Sequence, residues 1–187
     1  MPTIQVNLTI SSDIESRFPK LRVLTSRITH VKVRKQDAEL EKFKNELIDN
    51  VKKKYNLDSL KDGASFRAYR DFFWKIKVDP TKNRPAAEAL IRRILRGENL
   101  PSINTLVDAY NLASIKTEIA LAAFDADKLR GNLLMRMAKV DEEFVGIGMS
   151  KPMILQGGEV VISDEEKLVA IYPHRDAENT KVAEQTR

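Results

Sequence analysis

"INTLVDAYNLASIKTEIALAAFDADKLRGNLLMRMA" (residues 103–138) is where the chain changes character. Its first third has the apolar density of a buried helix, with Leu106, Val107, Ala109, Tyr110, Leu112 and Ala113 covering most of the circumference. Asn104, Asp108 and Asn111 interrupt that surface at spacings of four and three, which at helical pitch places them within about 60° of one another. Solvated stripes carry long Lys and Glu side chains. Asn and Asp are short and poor helix formers, so a stripe of them costs helix propensity. They are expected to hydrogen-bond to something fixed, either neighbouring backbone or a ligand in a pocket. The middle third, 119–129, reads as a short apolar strand or turn leading into a capped helical turn. The last third, 132–138, reads as a strand.

Working outward, the two sides differ. Upstream, "DAELEKFKNELIDNVKKKY" (37–55) is an amphipathic helix with Leu40, Phe43, Leu47 and Val51 on one face. "SFRAYRDFFWKI" (65–76) is a helix holding Phe66, Tyr69, Phe72, Phe73 and Trp74, an aromatic core cluster in preference to a base-stacking platform beside Arg67 and Arg70. "AAEALIRRILRG" (86–97) has Pro85 at its front and Gly97 past its end, with Ala87, Leu90, Ile91 and Ile94 as its buried stripe. Nearer the start, 3–10 alternates as a strand, "SSDIESRFP" (11–19) reads as a short helix with a Ser cap and a closing Pro, and 21–35 alternates as one or two strands. Downstream, 142–148, 158–163 and 167–173 are short strands separated by Gly and acidic turns. A run of helices followed by a run of strands argues an α+β fold, not a doubly wound parallel sheet.

Composition narrows the function classes. The chain has 187 residues, 42% hydrophobic and 32% charged, enough for one sizeable core. It has no Cys and two His, so a disulfide framework and a thiolate metal site are excluded, and neither a metal nor a cofactor is expected. The start lacks the basic and apolar regions of a signal peptide, and no apolar run is long enough to span a bilayer, so a cytoplasmic protein without membrane contact is expected. Residues 1–100 carry 22 Lys and Arg against 13 Asp and Glu, whereas the remainder is acidic. A basic half suits a polyanionic partner, nucleic acid above all, or is simply a solvated surface. Arg84, Arg92, Arg93 and Arg96 stand out as candidate phosphate contacts. Phosphate-cradling, dinucleotide, nucleophile-elbow and metalloprotease motifs are all missing. His174 and Asp176 are two residues apart, but no Ser is flagged as a nucleophile to complete a triad.

The residues of 103–144 resemble the editing and tRNA-binding domain of the phenylalanyl-tRNA synthetase beta subunit, its combined third and fourth B domains. The resemblance rests on Asn104, Val107, Asp108 and Asn111, then Phe124, Asp125, Asp127, Lys128, Leu129 and Gly131, then Arg136 and Ala138, in that order. "GEVVISDEEKLVAI" (158–171) resembles that family's next strand pair. Residues 69–114 and 172–186 are more similar to short relatives that carry the domain without a synthetase core.

The resemblance implies a three-layer β/β/α sandwich over 61–187, with 1–60 a strand–helix extension packed on it. It implies RNA binding at the tRNA acceptor end and hydrolysis of the ester that joins a wrong amino acid to tRNA. It also implies that Asn111 contacts the aminoacyl end, in a cleft bordered by Asn104 and Asp108, with Asp108 ordering nearby backbone. Three positions depart from the family pattern. Tyr110 stands in place of a site Thr, Ala122 in place of a site His, and Tyr172 near a small-residue pocket floor. The family's site Glu would fall just beyond Arg187, so the chain is expected to be a truncated piece or a short variant. No catalytic residue is assigned. A trans-acting deacylase, a non-catalytic tRNA- or amino-acid-binding module, and a scaffold for protein contacts remain as readings.

Overall fold

The computed structural model describes residues 7–187. In chain order the elements are β1 (Leu8–Ile10), α1 (Ser12–Arg17), α2 (Ala38–Lys54), α3 (Ala64–Lys75), α4 (Ala86–Leu95) and α5 (Thr105–Thr117). There follow β2 (Leu133–Met137), β3 (Val140–Phe144), β4 (Met153–Gln156), β5 (Val160–Ser163), β6 (Leu168–Ile171) and β7 (Arg175–Asp176). The fold is α+β. The chain divides into two compact units. A helical unit comprises 32–123 and 182–186; a strand unit comprises the remainder.

The helical unit is built as its periodicity dictates. Asp37 caps α2, its carboxylate accepting from the N–H groups of Glu39 (3.0 Å) and Leu40 (3.2 Å). Leu47 and Val51 on α2, Phe66 on α3, Leu90, Ile91 and Ile94 on α4, and Leu112 and Ile115 on α5 form one buried cluster. Leu40 and Phe43 pack against its margin. The aromatic segment splits: Phe66 and Phe73 are buried, whereas Trp74 is 56% exposed. The Tyr69 hydroxyl accepts from the Ala120 N–H at 2.9 Å, tying α3 to the segment after α5. At the end of α5, Glu118 adopts a left-handed backbone (φ 60°) and takes hydrogen bonds from Tyr55 (2.5 Å) and Lys54 (2.9 Å).

The strand unit holds a five-stranded sheet in the order β1-β2-β5-β6-β7 and a two-stranded sheet of β3 and β4. All its pairings are antiparallel except β1 with β2, where Leu8 lies opposite Leu133. Strands β5 and β6 are buried on both faces, so they read as continuous apolar runs. Ala138, Phe144, Leu155, Val161 and Ile171 meet in a core cluster.

The "AFDADKLRG" turn (123–131) is explained locally. The Asp125 carboxylate caps a short 3-10 helix over 126–128, accepting from the Asp127 N–H at 3.2 Å. Lys128 donates to the Lys181 carbonyl at 2.8 Å. Gly131 has φ +67°, and a side chain there would meet the Glu165 carboxylate.

Three expectations change. Residues 21–35 form no strand. Alternating β-branched residues favour a strand only where a partner edge and a buried face exist, and here Leu24 and Ile28 stand 97% and 68% exposed. The segment's Arg34 is instead held by Thr105, which donates its N–H to the Arg34 carbonyl (2.8 Å) while its hydroxyl accepts the Arg34 N–H (2.9 Å). The strand expected at 3–10 begins at Leu8, and residues 3–6 lie outside the described residues. Strand β4 and the two-residue β7 were not among the expected strands, and the strand expected at 142–148 spans Val140–Phe144.

Candidate functional site

The polar stripe of α5 divides its labour. Asn104 caps the helix, its carboxamide oxygen accepting from the N–H groups of Leu106 (3.1 Å) and Val107 (3.0 Å). Asp108 reaches back along the same end, accepting from the Ile103 N–H at 3.0 Å and the Ser102 hydroxyl at 3.4 Å. Both residues are buried. Their carboxamide and carboxylate satisfy backbone donors that a helix start otherwise leaves open. Asn111 is different. It is half-buried, and its carboxamide has no hydrogen-bond partner among the described residues. Two of the three members of the stripe are therefore spent on the fold, and one carboxamide is left to be used.

Tyr110 is half-buried on the same helix, and Ala122 is exposed on the segment after it. Tyr172 belongs to the strand unit, at the turn between β6 and β7. That turn carries the strongest electrostatic anomaly of the unit. Burial pushes the Asp176 carboxyl up to about 6. Asp176 has no ion pair among the described residues. Burial, and then the charge of Arg175, lower the pKa of His174, so its imidazole is neutral at pH 7. Displaced titrations of this kind mark sites where a group holds or releases a proton under mild conditions. The sequence places His174 and Asp176 together, but their desolvation comes from the buried strands around them.

Two other carboxylates of the strand unit, Asp164 and Glu142, are satisfied. Burial alone would raise Asp164, but the N–H groups of Glu166 (2.9 Å), Arg130 (3.0 Å) and Lys167 (2.8 Å), with the Lys167 ammonium at 3.3 Å, hold it below the ordinary carboxylate range. Arg136 grips Glu142 through two parallel bonds of 2.9 and 2.6 Å, which likewise lowers the Glu142 pKa.

The candidate phosphate-binding arginines are not equivalent. Arg92 donates through Nε to Glu88 at 2.9 Å, and Arg70 approaches the same carboxylate at 3.2 Å. Glu88 is fully buried, so Arg92 is committed to neutralising it. Arg93 donates to the Asn99 carbonyl (3.1 and 2.9 Å) and pairs with Glu98 at 3.3 Å. Arg96 lies 3.9 Å from Glu98, and Arg84 is exposed. Among the described residues no group of three His, Asp or Glu is placed to hold a metal ion, and no helix is long and apolar enough to cross a membrane.

Residues 68–187 match the model of the B3/4 domain, and the chain belongs to that family. Its relatives include phenylalanine–tRNA ligase beta subunits. The Fusobacterium nucleatum subunit is 36% identical over 94 residues, covering 50% of this chain and 12% of the relative. The Bartonella henselae subunit is 34% identical over 116 residues, covering 62% and 14%. That of Photorhabdus laumondii is 33% identical over 104 residues, covering 56% and 13%. The match thus spans about an eighth of the length of these relatives.

Proposed function

We propose that this protein binds tRNA and hydrolyses the ester of a mischarged aminoacyl end, acting in the cytoplasm. Domain-family membership and likeness to tRNA-ligase subunits support the partner. The observation that carries the site is the unspent carboxamide of Asn111, on a helix whose other short polar residues are consumed by capping. A carboxamide can both donate and accept, so it can orient the ester or the amino group of a bound aminoacyl end. Hydrolysis then requires a positioned water and a pocket that rejects the correct amino acid. Asn104 and Asp108 hold α5 in place. Tyr110 and Ala122 are the candidate contacts beside Asn111 in the helical unit, and Tyr172 is a separate candidate contact in the strand unit. Arg84 and Arg96 supply charge toward the acceptor arm, with Arg92 and Arg93 reinforcing the surface they share. The division into a synthetase-editing-like domain over 61–187 and an N-terminal extension belongs to the same reading.

A second reading is a binding module without catalysis. Ala122 favours it, because a methyl group supplies no proton transfer where the resemblance implies a His. Deacylation of a panel of correctly and incorrectly charged tRNAs separates the two readings. Release from one mismatched pair, lost in Asn111→Ala, is the expected result. Salt-sensitive binding without release would leave the binding module, and an unchanged Asn111→Ala would remove Asn111 from the site.

A further inference from the structure

The hairpin of β3 and β4 is apolar on both faces. On one face Phe144 and Leu155 are buried in the core of the strand unit. The other face follows from the register. Glu143 lies opposite Ile154 and Val140 opposite Gln156, with a bulge between the two pairs. Ile154 and Gln156 are two residues apart, so they share a face with Val140 and Glu143, and Val145 and Ile147 continue it by alternation. Val140, Val145, Ile147 and Ile154 are all exposed. A sheet face turned to water ordinarily carries polar side chains, and an exposed apolar row of this kind marks a contact surface.

The same unit exposes a second apolar surface. Leu21 and Val23 line a recess of about 430 Å³ with Ile14 and Phe18, which seats the start of the segment that follows α1. From Leu24 to His30 every residue is then exposed, Leu24 at 97%. Leu24 and Ile28 stand in solvent, so they do not cover the hairpin of their own chain.

The two surfaces carry opposite charge. Residues 16–31 hold Arg17, Lys20, Arg22 and Arg27 and no Asp or Glu. Arg22 donates to the carbonyls of Pro19 and Leu21, which orients its guanidinium without neutralising it. Residues 140–150 hold Asp141, Glu142 and Glu143 and no Lys or Arg. Glu142 is held by Arg136, but Asp141 and Glu143 are exposed and have no ion pair among the described residues.

We propose that this protein pairs with a second copy of itself through the strand unit, residues 24–30 of each copy lying across the β3–β4 face of the other. Such an exchange is isologous, so the same contact is made twice. Leu24 and Ile28 cover the apolar row, and the cations beside them meet Asp141 and Glu143. Packing two hairpins face to face would instead set Asp141 and Glu143 against their own copies, like charge on like. The pairing does not depend on the tRNA reading.

The test exploits a chain without cysteine. Leu24→Cys and Ile154→Cys are made in separate full-length chains that differ by a mass tag, then mixed and oxidised gently; Ile28→Cys with Val145→Cys is the second pair. A disulfide forms only where two Cα atoms come within about 7 Å, so a mixed disulfide between the partners of a pair is the expected product. Sedimentation equilibrium of the wild type is expected to show a dimer. Leu24→Ser/Ile28→Ser should raise its dissociation constant by about a hundredfold, because two apolar contacts are lost twice. Its thermal melt should keep the wild-type cooperativity, since both positions are exposed. Raising salt from about 0.05 to about 0.5 M should weaken the dimer further. No mixed disulfide in either pair overturns the proposal. Ile154→Cys joined mainly to itself would put hairpin against hairpin and overturn it as well. A wild-type dimer indifferent to Leu24→Ser/Ile28→Ser places the interface elsewhere. A wild type that stays monomeric at the highest concentration reached leaves the β3–β4 face to a different protein and removes the self-pairing.

Discussion

Glu88 in the helical unit and Asp176 in the strand unit are both carboxylates drawn out of water. Glu88 meets two guanidiniums, Arg70 and Arg92, at 3.2 and 2.9 Å. Asp176 meets no cation among the described residues and responds by holding its proton up to about 6. Asp164 shows a third arrangement, a carboxylate supported by three backbone N–H groups and one ammonium. The difference separates charges that the fold consumes from one that it leaves adjustable. Glu88 and Asp164 are each held by partners that would be stranded without them. Asp176 has nothing holding it ionised, so its state follows its surroundings.

The comparison breaks most sharply at Glu88. Glu88→Ala leaves two arginines facing a buried gap, and a loss of about 3–5 kcal/mol is expected in urea unfolding. Asp164→Ala strands the N–H groups that join the β5–β6 turn to the approach of β2. Its cost is expected at about 2–3 kcal/mol by the same measurement.

Asp176→Asn should act in the opposite direction. The folded protein keeps the Asp176 proton to about 6, whereas the unfolded chain releases it near 3.8. The folded state therefore binds more protons between these values, and this group's contribution to stability falls as pH rises from about 4 to 6. Above that window the buried charge costs about 3 kcal/mol, since one pKa unit is worth about 1.36 kcal/mol. Asp164 and Glu142 behave oppositely: their contributions are present above their unfolded pKa values and are lost as pH falls. The diagnostic is thus the difference between two proteins. Thermal melts should show Asp176→Asn more stable than wild type at pH 7, with the advantage gone near pH 4.

Asn111→Ala should be the mildest for the fold, within about 0.5 kcal/mol of wild type in unfolding. Aminoacyl-tRNA binding or deacylation should nevertheless fall about tenfold, the size expected for one lost hydrogen bond. A stability loss as large as that of Asp164→Ala would show instead that Asn111 is a structural residue like its neighbours.

Helix periodicity located α2, α3, α4 and α5, because each buries a stripe repeating every three to four residues. The buried strands β5 and β6 were legible as short apolar runs between turns. The failure at 21–35 has a single cause: alternation reports a capacity to pair, and pairing needs an edge elsewhere in the chain. The stripe of α5 was visible as an anomaly, but the split between capping and unspent groups depends on where the helix begins. Asn104 is outside the helix and Asn111 is inside it. The desolvation of Asp176 was invisible, since the residues next to it in sequence are Arg175 and Ala177. The commitment of Arg92 to Glu88 follows an (i, i+4) spacing present in the sequence, but the depth of Glu88 does not.

The pairing of Leu8 with Leu133 has a consequence for how the protein is made. The strand unit takes its first strand from one end of the chain and the rest from the other, with most of the helical unit between them. During synthesis at roughly 5–20 residues per second, β1 emerges some 6–25 s before its partner exists. The helices meanwhile can form as they appear, because their own backbone hydrogen bonds join residues four apart. The nascent chain thus carries an unpaired apolar strand ahead of an already collapsing bundle. Conditions that slow translation across 11–132 should lengthen that exposure and raise the demand for a holding chaperone, without altering the finished protein.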